Sequence, residues 1–182
     1  MSKTKKSKKK LMEELADSSS PVLLTTKKQL LHLLLLRRLM SLTGTNLTAI
    51  AGILGCSPVN VSKMVSRNDI KLSVLEKIFA HFGLRFAIEF LRPEEKDLIH
   101  IDERAWQQFE YASAKRLSFL NVAIEKYGYN KAKLGQEMKE RMGKGGRIAL
   151  RYHLTNDDMH MSWVYLYADI MGAEPYFTIL LL

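Results

Sequence analysis

One cysteine in 182 residues rules out a disulfide within the chain and any multi-cysteine zinc site. That residue, Cys56, falls in a predicted turn between two apolar segments and reads as a small buried residue, with a reactive thiol as the lesser alternative. Long apolar runs are missing too. The richest, Leu30 to Leu36, is broken by His32 and flanked by Lys27, Lys28, Arg37 and Arg38, far too short to span a bilayer. Ser18 to Pro21 and several acidic residues separate it from the basic start of the chain, which argues against a signal peptide. No Ser/His/Asp, Cys/His or paired-carboxylate set has both its members and a frame to hold them, so neither a catalytic residue nor a cofactor is expected. The absences point to a non-enzymatic protein of a reducing cytoplasm, with no membrane partner.

What is present is helix-forming and basic. Leu, Lys, Ala, Glu and Met dominate, which favours a mainly α fold. The net charge of +9 is unevenly spread. Residues 1–10 carry six lysines and no acid, and residues 111–151 carry ten Lys/Arg against three Glu. Residues 92–110 carry six acids against three bases, and 152–182 carry four acids and no Lys or Arg. Segregated basic charge is one arrangement that lets a protein meet phosphates on one face; a solubilising surface is the other reading.

Turn and cap residues divide the chain. Residues 1–10 are too charged to bury anything and read as a mobile arm; Leu11 to Asp17 allow a short helix, and Ser18 to Pro21 a linker. A helical pattern runs from about Thr26 to Ser41 and breaks at Gly44-Thr45-Asn46, where Asn46 is a good N-cap. A short helix follows, with Leu47, Ile50, Ala51 and Leu54 on one face, and stops at Gly55. Ser57-Pro58 marks a third start, a cap followed by proline in the first turn, and Val61, Met64 and Val65 form the expected buried side. A fourth helix runs from about Lys71 to Phe82 and ends at Gly83. Residues 85–90 then alternate with period two, which predicts a strand with one buried face.

The layout then repeats. Gly44 and Asn46 recur 84 residues later as Gly128 and Asn130, and Ile50, Ala51 and Leu54 as Leu134, Gly135 and Met138. After five further residues the offset is 89: Asp69 to Ser73 match Asp158 to Ser162, Gly83 matches Gly172, and a second strand-like segment follows at 176–180. The matches fall in order on caps, turns and core positions, as an internal duplication requires. The expected domains are a basic arm and linker (1–20), a first helical unit plus strand (21–92) and a second, degenerate unit plus strand (93–182). Because a lone strand leaves backbone groups unpaired, the two strands are expected to pair with each other or with those of a second chain. Pairing within the chain implies an approximate two-fold relation, with two recognition helices about 34 Å apart.

Residues 36–84 resemble the Cro/repressor-like helix-turn-helix family. The resemblance is carried by Ile50-Ala51, Gly55-Cys56-Ser57, Val61-Ser62-Lys63-Met64, and then Leu75, Ile78, Phe82 and Gly83. It implies two tandem repressor-like units, each with a second helix able to enter a major groove about 12 Å wide. By position, Ser57, Val59, Asn60, Ser62, Lys63 and Arg67 face the groove. Asn60 suits adenine, Val59 a thymine methyl, and Lys63 and Arg67 phosphates, while Thr45 and Asn46 suit the DNA backbone. Pro58 and Val59 depart from the polar reading edge usual in the family. In the second unit the turn at 139–146 is expected to be longer and glycine-rich. Ile148, Leu150 and Leu154 are expected inward, leaving Lys144, Arg147, Arg151 and Tyr152 for DNA.

Lys144-Gly145-Gly146-Arg147 lacks the spacing of a nucleotide-binding loop. His153, Asp157, Asp158 and His160 lie close in sequence, but the match of Asp158 to Asp69 favours helix capping over metal ligation. The expectation is therefore a sequence-specific duplex-DNA binder, a prokaryotic transcriptional regulator of the nucleoid, as monomer or homodimer. The lysine arm would add affinity by counterion release. The alternatives are an antitoxin-like or assembly module using the same helices, and a sequence-tolerant architectural or mobile-element DNA-binding protein.

Overall fold

A computed structural model describes residues 31–67, 69–98 and 115–181. The readings made for the arm, the Leu11–Asp17 helix, the linker and the helix start at Thr26 lie outside these residues. The described chain is mainly helical with one small two-stranded antiparallel sheet. No helix among the described residues is long and apolar enough to cross a membrane. Two compact units are distinguished: Met1–Ala87 with Phe177–Leu182, and Ile88–Tyr176.

In the first unit, α1 (Leu31–Thr43) buries His32, Leu33, Leu35, Leu36 and Leu39, an apolar stripe at helical spacing. It ends at Gly44, whose φ of 66° suits a residue without a side chain, and the Thr45 amide reaches back to the Met40 carbonyl (2.9 Å). Then come α2 (Leu47–Leu54), α3 (Pro58–Ser66) and α4 (Leu72–His81), with α2 packed on both followers. Ile50, Ala51, Val61, Ile70, Leu72, Leu75, Ile78 and Phe79 form their common core. Met64 and Val65 are half-buried, so Val61 is the main anchor of α3.

After α4, β1 (Leu84–Leu91) and a 3-10 helix (Pro93–Leu98) follow. The second unit carries α5 (Ser118–Lys126), α6 (Lys131–Met142), α7 (Lys144–Asn156) and α8 (Met161–Ile170) before β2 (Glu174–Leu181). The two units share their order of elements and their local bonds. Gly128 has φ 68°, the Tyr129 amide bonds the Ile124 carbonyl (2.8 Å), and Asn130 caps α6 through Lys133 as Asn46 caps α2 through Ala49. The core also corresponds: Leu134, Met138, Leu150, Met159, Met161, Val164 and Tyr167 are all buried. Tyr127 and Tyr129 tie the loop before α6 to the rest of the unit, bonding the Phe90 carbonyl (2.6 Å) and the Ile170 carbonyl (3.0 Å).

The strands at 84–91 and 174–181 pair with each other, which satisfies the backbone groups a lone strand would leave open. Leu84, Ile88 and Phe90 are buried and Glu89 is exposed, in keeping with period two, while Leu91 is buried as well. The division between units passes through both strands, whereas the sequence alone places it near residue 92. Antiparallel pairing is the reason: it returns the end of β2 to the start of β1.

Candidate nucleic-acid interface

The first unit presents a helix pair joined by a three-residue turn. Asn46 accepts from the Ala49 amide (2.9 Å), and this side-chain oxygen satisfies one of the open donors at the start of α2. Gly55 closes α2 in the left-handed region (φ 71°, ψ 35°), and the Cys56 amide bonds the Ala51 carbonyl (3.0 Å). The Ser57 hydroxyl oxygen then accepts from the Asn60 amide (3.3 Å), and Pro58 occupies the first turn of α3, where its missing N–H costs nothing. Lys77 of α4 donates to the Leu54 carbonyl (3.4 Å) and ties α4 to the end of α2. Cys56 is partly exposed rather than buried, in a turn held through its backbone bond to Ala51.

With Val61 inward, a helical turn of about 100° per residue puts Val59, Lys63, Ser66 and Arg67 on the opposite face, with Asn60 and Ser62 at its two edges. All six are exposed, and the helix with its cap at Arg67 holds two bases and no acid. Thr45 and Asn46 lie at the start of α2 with side chains already engaged. The Thr45 hydroxyl sits 2.7 Å from that of Thr43, and the Asn46 oxygen is the cap. Of the residues expected at DNA, then, those on α3 gather on one face, while Thr45 and Asn46 serve the fold first.

The second unit departs from expectation in its turn. No long glycine-rich loop separates α6 from α7; Gly143 alone breaks the helix, with φ 74° and ψ −164°. Lys139 to Met142 are good helix formers and extend α6, and Lys144 to Gly146 lie inside α7. Gly146 has a packing role: a Cβ there would stand 2.3 Å from the Met138 carbonyl oxygen. Helices α6 and α7 approach at this point more closely than any other residue would allow. At Gly135 the fit is looser, with Arg147 Cγ at 3.4 Å and Leu150 Cδ2 at 3.8 Å from such a Cβ.

Ile148 is a correction. It is 69% exposed rather than inward, and the buried side of α7 is Gly146, Leu150 and His153, with Leu154 half-buried. Ile148, Tyr152, Lys144 and Arg151 share the opposite face, flanked by Arg147, and Tyr152 is 62% exposed. Helix α7 carries three bases and no acid. Lys144, Arg147, Arg151 and Tyr152 are all exposed, as expected at the sequence level.

Sequence reasoning weighed His153 only as a metal ligand, whereas the structure buries it. Its Nδ1 lies 3.0 Å from the Tyr167 hydroxyl, with the Trp163 ring centroid at 4.9 Å. Burial holds its pKa down at about 4, with His160 adding to the effect and Asp158 opposing it; burial pushes the Tyr167 phenol up. A neutral imidazole and a neutral phenol can share this hydrogen bond in the core beneath α7. Asp157, in the left-handed region (φ 50°), accepts from the amides of Arg116 (2.7 Å) and Leu117 (2.9 Å). Asp158 bonds the amide of Met159 (3.0 Å), and His160 holds the N-cap position of α8. No group of three or more His, Cys, Asp or Glu among the described residues is arranged to hold a metal ion.

No family model, curated protein or solved structure matches the chain.

Proposed function

We propose that this chain binds double-stranded DNA, with α3 and α7 as its groove-facing helices, and acts as a sequence-specific regulator in the cytoplasm of a prokaryote. One observation carries the reading. In each unit a helix pair joined by a glycine-closed turn leaves its second helix with an exposed face of basic and polar residues and no acid. A polyanion is the partner that such faces suit. The resemblance of residues 36–84 to the Cro/repressor-like family supports the same conclusion.

On this reading Lys63, Arg67, Lys144, Arg147 and Arg151 meet phosphates or guanine edges, and Asn60 reads adenine. The test is a fluorescence-anisotropy titration of a random-sequence duplex at several salt concentrations. Each phosphate contact contributes roughly 0.9 to the log–log salt slope. The Arg147→Ala/Arg151→Ala pair and the Asn60→Ala/Lys63→Ala pair should each weaken binding, and the arginine pair should flatten the slope by about one to two. Selection from the random pool then separates a regulator from a sequence-tolerant architectural protein. The exposed Ile148 and Tyr152 favour a second reading, a protein-interaction module. Duplex binding untouched by all four substitutions would favour that module over DNA regulation.

A further inference from the structure

Val59 is 60% exposed and Ile148 is 69% exposed. The offset of 89 residues that matches Asp69 with Asp158 also matches Val59 with Ile148, and Val61 with Leu150. The buried member of each pair is buried in both units, at 2% and 4% exposure. Scattered exposed apolar side chains on a surface need no explanation. Here, however, two β-branched side chains stand at one equivalent position of two units, on otherwise polar, acid-free helix faces. Neighbouring positions on those faces differ freely: Ser62 corresponds to Arg151, and Lys63 to Tyr152.

We propose that Val59 and Ile148 each read a 5-methyl group on a pyrimidine in the major groove, that of thymine. This rests on the DNA-binding reading above and adds the chemistry that is recognised. The C5 methyl is the apolar group that a base pair offers in the major groove, and apolar side chains are its complement. Charge argues for DNA as the occupant. Val59 shares its face with Lys63 and Arg67, and Ile148 lies among Lys144, Arg147 and Arg151, so each apolar side chain has beside it groups suited to phosphates.

Two 30-base-pair duplexes test it, one of alternating dA and dT, the other of alternating dA and dU. They have the same charge and pairing, and they differ by the methyl groups alone. Every register of the first presents methyls to both helices. Each buried methyl is worth about a fourfold change in affinity, and two such contacts multiply, so the full-length protein should prefer the thymine duplex by about fifteenfold. Val59→Ser/Ile148→Ser changes two exposed positions and should leave the thermal melt of the protein unchanged. It should bind both duplexes with nearly equal affinity. Equal binding of the two duplexes by the unaltered protein, or a thymine preference that survives in the double variant, overturns the proposal while leaving DNA binding intact. Salt-sensitive binding to neither duplex overturns the DNA-binding reading and this proposal with it. An apolar protein partner would give that last result.

Discussion

The two helix pairs solve one joining problem in different ways. In the first unit three residues make the turn: Gly55 takes the left-handed region, Cys56 bonds back to α2, and Ser57 caps α3. In the second unit Gly143 alone makes it, and no side chain caps α7. The extra residues of the second unit enlarge its helices: α6 and α7 have 12 and 13 residues, against 8 and 9 for α2 and α3. Close to this turn α6 and α7 pass tightly, and Gly146 makes room for the approach. A cap and a close contact thus occupy equivalent positions, Ser57 and Gly146, 89 residues apart.

The largest expected effect breaks that equivalence. Gly146→Ser drives a Cβ against the Met138 carbonyl, which is backbone and cannot rotate away. The helices must separate, at a cost of about 3 kcal/mol. The reciprocal change, Ser57→Gly, removes a cap and replaces it with a tolerated cap residue, for a few tenths of a kcal/mol. Urea unfolding of both variants checks the pair. A Gly146→Ser protein as stable as the parent would mean that α6 and α7 are not so closely packed.

Acid should affect both units together. His32 in α1 and His153 in α7 are buried, and burial holds each pKa down at about 4, with Asp69 partly opposing the shift at His32. The unfolded chain, with histidines near 6.5, binds more protons between these values. Their contribution to stability is therefore full above pH 6.5 and is lost as pH falls towards 4. Thermal melts at pH 7, 5.5 and 4.5 should show a falling midpoint, and His153→Phe should reduce the drop. A midpoint independent of pH over this range would place both imidazoles in contact with water.

Local chemistry made much of this legible. Gly44, Asn46, Gly55, Ser57-Pro58 and Gly128-Asn130 announce their caps by residue type, and the structure follows them within a residue. The second turn was harder, because Gly143, Gly145 and Gly146 look alike in sequence. One of them bends the backbone and another admits a neighbouring helix, a difference that depends on tertiary contact. The same ambiguity hid the inward side of α7. His153 looks polar until Tyr167 and Trp163 are beside it, so Ile148 looked like the better core residue. The offset of 89 contained the answer, since it pairs Ile148 with Val59 and His153 with Met64.

A smaller effect should be equal in the two units. Asn46→Ala and Asn130→Ala each remove a side-chain acceptor from an N3 amide, at 2.9 and 2.8 Å, and should cost about 1 kcal/mol apiece. Being in separate units with no shared partner, the two losses should add in the double variant. A cost confined to one of them would show that the two starts are alike in geometry but not in energy.

The smallest effect belongs to Gly135→Ala, which gives the second unit the residue type that the first has at Ala51. Alanine in a helix interior gains up to about 1 kcal/mol over glycine, partly by restricting the unfolded chain. Against this stands the contact with Arg147 Cγ at 3.4 Å, tight but made by an exposed, flexible side chain that can shift. The net change should lie within about 0.5 kcal/mol of zero, on the stabilising side if Arg147 yields. Because Arg147 is also one of the proposed DNA contacts, the same variant links fold to function. If its side chain moves to accommodate the methyl, duplex affinity should change even though stability does not. Unchanged stability with unchanged affinity would mean that Arg147 makes room for the added methyl without disturbing its guanidinium, and that its stem and its head act independently.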